Sequence, residues 1–349
     1  MVIFFTFGVL QTHYRKEGLE VIRVKKNFYW QIVFAFLFIA SFTAKAQDPQ
    51  FSQFYANRLY LNPAFAGTER CPRVGLNYRN QWPSLDQGFI TYSASVDRHF
   101  NALSGGLGLL AMRDESGAGS VTRQDISLMY AYQLNITRFF SMTAGAQVGY
   151  INKGVDWDQL TFGDMIDPRQ GFIYNTDEVP GDQSKGNMDF SVGVLGFSER
   201  FFGGFAVHHI TEPNVQLTTG SPSPVPRKYT VHAGMVIPIR GLGGIEKGTI
   251  SPNFIFQNQA SFTQFNYGFY ATKGVVVGGL WVRHSLSNFD AITAMFGVHM
   301  DRFKVGYSYD LTVSTLGQDP GGSHEISFIL NINCKVKKAS YRTVSCPNF

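Results

Sequence analysis

From Phe303 to Thr312 every second residue is apolar. Phe303, Val305, Tyr307, Tyr309 and Leu311 alternate with Lys304, Gly306, Ser308, Asp310 and Thr312. A β-strand sends successive side chains to opposite faces, so this segment has one greasy wall and one wet wall. The same pattern is clear where Ile90, Tyr92, Ala94 and Val96 oppose Thr91, Ser93, Ser95 and Asp97. It recurs at Ile126 to Leu134 and at Met142 to Tyr150. In order, the stretches are 72–79, 88–97, 104–113, 122–134, 139–151, 188–198, 201–210, 227–239, 248–258, 262–272, 274–283, 290–299, 302–312 and 323–333. Most have the length of about ten residues that a tilted strand needs to cross a bilayer's hydrocarbon layer. The pattern predicts an all-β chain, a transmembrane outer-membrane β-barrel of about 14 antiparallel strands with lipid outside and a polar lumen. Stretches 104–113 and 274–283 fit less cleanly, being apolar on both faces.

Connection lengths test that count independently. Numbered from periplasmic chain ends, the connections assigned outside include Asp114–Val121, Asn152–Asn187, Thr211–Pro226 and Val313–Gly322. Those assigned inside include Asn135–Arg138, Glu199–Arg200, Lys273 and Met300–Asp301. Bacterial barrels keep long loops outside and short turns inside, and only the 240–247 turn is long for its side. One strand more or fewer would scramble this order. A soluble β-sandwich or lipocalin-like barrel also alternates, but rarely carries so many aromatics on one strand face.

The ends are of another kind. Residues 1–46 read as a presequence: Lys25-Lys26 are a basic n-region, Ile32 to Phe42 an apolar core, and Ala44-Lys45-Ala46 a small-x-small cleavage site. A second apolar stretch, Val2 to Leu10, precedes this signal peptide, so translation is expected to start near Val24. The net charge of +5 belongs largely to these ends. Arg15, Lys16, Arg23, Lys25, Lys26 and Lys45 outnumber Glu17 and Glu20, which leaves +1 after Ala46. The periplasmic tail, 334–349, adds Lys335, Lys337, Lys338 and Arg342 with no acid, so the body is about −3. No nucleic-acid partner is expected of such a chain. The tail's four cations are candidates for contact with an acidic periplasmic partner.

Between presequence and barrel (72–333) lies segment 47–71, dense in aromatics: Phe51, Phe54, Tyr55, Tyr60 and Phe65. Asn62-Pro63-Ala64-Phe65-Ala66-Gly67 is a turn bracketed by apolar anchors. Asn62, Pro63, Phe65 and Gly67 are therefore candidates to plug the lumen or cover the periplasmic mouth. Export permits disulfides, and Cys334 with Cys346 is one candidate pair. Reduced thiols, or a partner elsewhere for one of them, are the alternatives.

Catalytic chemistry is not legible. Serines lack a nucleophile-elbow context, and Gly203-Gly204 and Gly278-Gly279 are strand glycines rather than phosphate loops. Strand alternation puts the His208 and His209 rings on opposite faces, and His232, His299 and His324 fall on separate strands. The acidic loop 152–187 lacks EF-hand spacing and reads as solvated, with calcium as the alternative. The chain is expected to be no enzyme, with no cofactor and no metal.

Several motifs carry a resemblance. Gln47-Asp48-Pro49-Gln50-Phe51-Ser52-Gln53-Phe54-Tyr55 and Leu61-Asn62-Pro63-Ala64-Phe65-Ala66-Gly67 open the mature chain. Arg79-Asn80-Gln81-Trp82-Pro83, Pro226-Arg227-Lys228-Tyr229, Ser308-Tyr309-Asp310, Gly322-Ser323-His324-Glu325-Ile326-Ser327 and Cys346-Pro347-Asn348-Phe349 follow in order. Together they resemble the PorP/SprF family of outer-membrane barrels of the type IX secretion system. The resemblance implies a protein of the cell outer membrane that supports export or surface attachment of secreted proteins such as gliding adhesins. It implies as partners type IX components in the periplasm and outer membrane, a secreted adhesin-like cargo and outer-membrane lipid. The alternative is an outer-membrane pore or transporter for small solutes, because a barrel of this size can enclose a wide polar lumen.

Overall fold

The computed structural model describes residues 47–85, 88–167, 169–177, 181–217, 222–240, 246–286, 288–313 and 321–334. The expected presequence, 1–46, lies outside them. So does the tail beyond Cys334, with Lys335, Lys337, Lys338, Arg342 and Cys346.

Fourteen strands form the wall. They are β1 (Arg73–Gln81), β2 (Phe89–Phe100), β3 (Gly105–Ser116), β4 (Val121–Asn135), β5 (Phe140–Val155), β6 (Ser184–Ser198) and β7 (Phe201–His208). Then come β8 (Lys228–Met235, resumed at Ile237–Arg240), β9 (Glu246–Gln259), β10 (Phe262–Lys273), β11 (Val276–Ser285), β12 (Phe289–His299), β13 (Phe303–Thr312) and β14 (Ser323–Asn331). Each pairs antiparallel with its sequence neighbour, and β1 pairs with β14 from Arg73↔Asn331 to Gln81↔Ser323, closing the cylinder. Count, order and closure agree with the sequence reading.

The faces are inverted relative to a soluble protein. On β4, Ile126 and Leu128 are each 59 % exposed on the outer wall while Asp125 and Ser127 are buried towards the lumen. Such a wall is stable only against hydrocarbon, and closure leaves no unpaired strand edge there. Several strands run beyond their alternating stretch: β6 begins at Ser184 and β3 ends at Ser116. Ladder pairing continues there past the apolar band, where polar residues on both faces erase the period-two pattern.

An even strand number brings Arg73 and Asn331 to one mouth, the terminal end. The opposite mouth, the loop end, carries connections 82–88, 117–120, 156–183, 209–227, 260–261, 286–288 and 313–322. The terminal end carries 101–104, 136–139, 199–200, 241–245, 274–275 and 300–302. The turn that was long for its side shortens because the β8–β9 ladder continues to Arg240↔Glu246. Within 156–183, Ile166–Asp167 pairs with Gly171–Phe172.

Candidate functional site: the occupied lumen

Polar inner walls would enclose water if the lumen were empty. Segment 47–71 fills it. Asp48 lies among residues of the loop end, and Cys71 bonds to Cys334 at the terminal end, so the segment runs the length of the lumen. Its only regular structure is a one-turn helix, α1 (Arg58–Leu61), and a 3₁₀ turn at Pro63–Phe65.

Apolar residues of the segment meet apolar residues of the inner wall. Tyr55, Leu59, Leu61, Ala64 and Phe65 form one buried cluster with Leu110, Met129, Leu195, Phe197, Ile255, Val277 and Trp281. Phe54 packs on Trp281 with ring centroids 5.4 Å apart, Tyr55 on Tyr270 at 5.3 Å and Phe65 on His232 at 5.2 Å. Fully burying each large apolar side chain contributes roughly 1.5–3 kcal/mol. This explains the two-faced apolar stretches in β3 and β11: Leu110, Val277 and Trp281 point inward, at the plug.

The predicted turn residues sit at the narrowest contacts. The Asn62 carboxamide Oδ1 accepts the Ala64 N–H at 2.9 Å, and Nδ2 donates to Val194 O at 3.1 Å. Pro63 opens the 3₁₀ turn, and both it and Phe65 are buried. Gly67 has φ +64°, and a Cβ there would stand 2.4 Å from the Gly106 Cα. No residue with a side chain fits that approach in that conformation. The Gly67 N–H also donates to Asp97 Oδ2 at 3.0 Å.

Two ionic clusters hold the segment. In the first, Glu325 of β14 accepts the backbone N–H groups of Ser52 (2.6 Å) and Gln53 (3.1 Å). Arg79 of β1 bridges Glu325 (3.2 Å) and Asp310 of β13 (2.8 Å). Arg283 of β11 reaches Asp310 at 3.1 Å, and the Ser52 hydroxyl donates to Asp310 at 2.6 Å. Buried ions destabilise unless paired and hydrogen-bonded, and here two carboxylates face two guanidiniums. Four quoted motifs meet in this cluster: Ser52-Gln53, Arg79, Asp310 and Glu325.

In the second, Asp48 receives Arg123 (2.7 Å), Lys228 (2.8 Å) and His209 Nε2 (2.9 Å). The other ring nitrogen of His209 lies 3.0 Å from Asp189. Burial raises the Asp48 pKa, but His209, Lys228 and Arg123 together hold it well below 3.8. Burial lowers that of His209, but Asp48 and Asp189 raise it from 6.5 to about 9. Lys228 also sits 4.2 Å above the Tyr60 ring, a cation–π contact.

Here the sequence reading of His208-His209 is corrected. Both rings are buried, with His208 Nε2 at 3.3 Å from Leu61 O. The ladder ends at His208 and His209 takes φ +56°, a left-handed turn that redirects its ring inward. The candidate Cys334–Cys346 pair is corrected too: Cys334 bonds to Cys71, their Cα atoms 5.5 Å apart. The 47–71 segment ends where β14 leaves the wall, so the two cysteines emerge side by side. His232, His299 and His324 do not converge: His232 faces Asn62 and His324 faces the Tyr307 hydroxyl. In the acidic loop, Asp164 and Asp167 accept local hydrogen bonds, among them those of Thr176 and the Arg169 N–H. Among the described residues no group of three or more potential ligands is arranged for a metal.

Solved structures with similar backbones include the Ralstonia pickettii toluene transporter TbuX, at TM-score 0.46 and 8% identity over 79% of this chain and 93% of that one. A Pseudomonas aeruginosa FadL homologue aligns at TM-score 0.42 and 12% identity, over 78% and 93%. The CymD monoaromatic hydrocarbon channel aligns at TM-score 0.39 and 10% identity, over 80% and 94%. Among curated proteins none is significantly similar. The model of the family described as type IX secretion system membrane protein PorP/SprF matches residues 43–330, through the plug and nearly all of the wall. The chain is an outer-membrane β-barrel and belongs to the PorP/SprF family of type IX secretion system membrane proteins.

Proposed function

We propose that this barrel is a plugged anchoring platform of the type IX secretion system, supporting export or surface attachment of secreted proteins such as gliding adhesins. The single observation that carries the reading is the lumen itself, occupied by the chain's own residues 47–71, whose apolar side chains form one buried cluster with the inner wall. A solute pore needs a continuous aqueous path, whereas a platform needs a rigid body with two accessible mouths. The loop end, with its long connections, is the surface that would meet the secreted partner. The basic tail, with Lys335, Lys337, Lys338 and Arg342, would meet acidic periplasmic components of the machine. In this reading the protein performs no chemistry and outer-membrane lipid surrounds its outer wall.

The experiment is co-purification from the native envelope in mild detergent, with planar-bilayer conductance beside it. Platform function predicts recovery of secretion components and a closed channel. Deleting residues 335–349 should leave the barrel inserted and weaken that recovery. Steady conductance with no co-purifying component would instead favour the small-solute pore.

A further inference from the structure

At the loop end, where the plug begins, the barrel holds a second feature. A cavity of about 260 Å³ opens between the inner wall and the 209–227 connection, with Gln47 among its lining residues. The connection folds back into the mouth: the Val215 N–H donates to Ser223 O at 3.1 Å, and Val225 N–H to Pro213 O at 3.0 Å. Val215 and Val225 are thereby buried against Ile151 of β5, forming an apolar cluster separate from the plug core.

One row of directly paired residues crosses the adjoining wall: Thr91↔Asp114↔Arg123↔Lys153↔Lys185. Directly opposite residues share a face, so the row is inward. Its charges are unevenly matched. Asp114 accepts the Thr91 hydroxyl at 2.6 Å, and Arg123 is neutralised by Asp48 and by Asp125 at 2.9 Å. Lys153 and Lys185 have no ion pair among the described residues. Lys153 lines the cavity and Lys185 stands beside it at the exposed rim.

We propose that this vestibule binds a carboxylate carried on an apolar stem. The carboxylate meets Lys153 with Lys185 at the rim, and the stem lies against Ile151, Val215 and Val225. An ammonium group half-removed from water with no anion beside it favours an anionic ligand, and a carboxylate accepts its hydrogen bonds directly. The volume falls below the roughly 300–1,000 Å³ of pockets for drug-sized molecules, so it fits a short acid or a chain end, not a folded partner. The site lies apart from the platform reading and stands or falls without it.

The test is calorimetric titration of the full chain in lipid nanodiscs with hexanoate, with acetyl-Gly-Leu bearing a free carboxylate, and with its C-terminal amide. At least one acid binds and the amide does not. Hexanoate alone assigns a free acid, and the peptide acid alone assigns a polypeptide end. Lys153→Gln weakens binding of the acid about tenfold, the loss of one charged hydrogen bond. Lys185→Gln, at an exposed position, weakens it less, and Lys247→Gln at the opposite mouth leaves it unchanged. Equal titration by acid and amide, or unchanged acid affinity in both Lys153→Gln and Lys185→Gln, overturns the proposal.

Discussion

Glu325 holds the backbone N–H of Ser52 at 2.6 Å across 273 positions of sequence, tying the last strand of the wall to the segment inside it. The same carboxylate takes Gln53 N–H and Arg79, so its loss would leave two buried amides without their acceptor and Arg79 with Asp310 as its remaining carboxylate. Glu325→Ala is expected to destabilise the plugged barrel by about 3–5 kcal/mol, the range for breaking a buried ion pair. Urea unfolding of the folded and heat-modified forms measures it. Intermittent conductance in planar bilayers should accompany the loss, and an unchanged unfolding midpoint would contradict it.

Gly67 gives a steric counterpart. Its φ of +64° and its approach to Gly106 leave no room for a side chain. Gly67→Val should cost about 1–3 kcal/mol for backbone strain, with added steric loss at Gly106. The same unfolding assay reads it, and Gly106→Ala should behave alike because a Cβ there would fall 2.3 Å from Gly67 Cα.

The wall was legible in the sequence because a strand in hydrocarbon must alternate, and a soluble sheet that alternates as Ile126, Ser127 and Leu128 do rarely carries so many aromatics on one face. The plug's grip was not. Arg79, Asp310 and Glu325 sit on inner faces, where a charge equally suits a water-filled lumen, and Asp310 and Glu325 lie 258 and 273 positions from Ser52. A usable signal existed in the apolar inner faces of β3 and β11, which have no reason to be apolar unless something dry lies against them. His209 was missed because strand alternation was carried one residue past the end of β7. Disulfide connectivity among three cysteines cannot be read from spacing.

His209 makes stability depend on pH in a stated direction. Its folded pKa of about 9 exceeds the 6.5 of the free side chain. Its contribution is therefore fully present below 6.5 and is lost as pH rises through 9. Unfolding midpoints measured between about pH 6 and 10 should fall across that window. His209→Gln should flatten the fall while lowering the midpoint at the acidic end.

Cys71–Cys334 should register chemically. Tryptic maps under non-reducing conditions should show those two peptides joined, leaving Cys346 as the odd one of three cysteines. Cys71→Ser or reduction should lower stability by about 2–4 kcal/mol, the usual worth of a disulfide. A map joining Cys334 to Cys346 instead would contradict the pairing.

The first and last strands of the wall, β1 and β14, carry Arg79 and Glu325, which pair directly at 3.2 Å, and Glu325 also takes the backbone N–H of Ser52. During biogenesis the seam therefore matches its own charges, and the N-terminal strip adds two amide hydrogen bonds to Glu325 when it is in position. The charge that waits for the threaded interior lies at the loop end: among the described residues Lys228 has its ion pair with Asp48, so a barrel sealed empty would enclose that ammonium without its carboxylate.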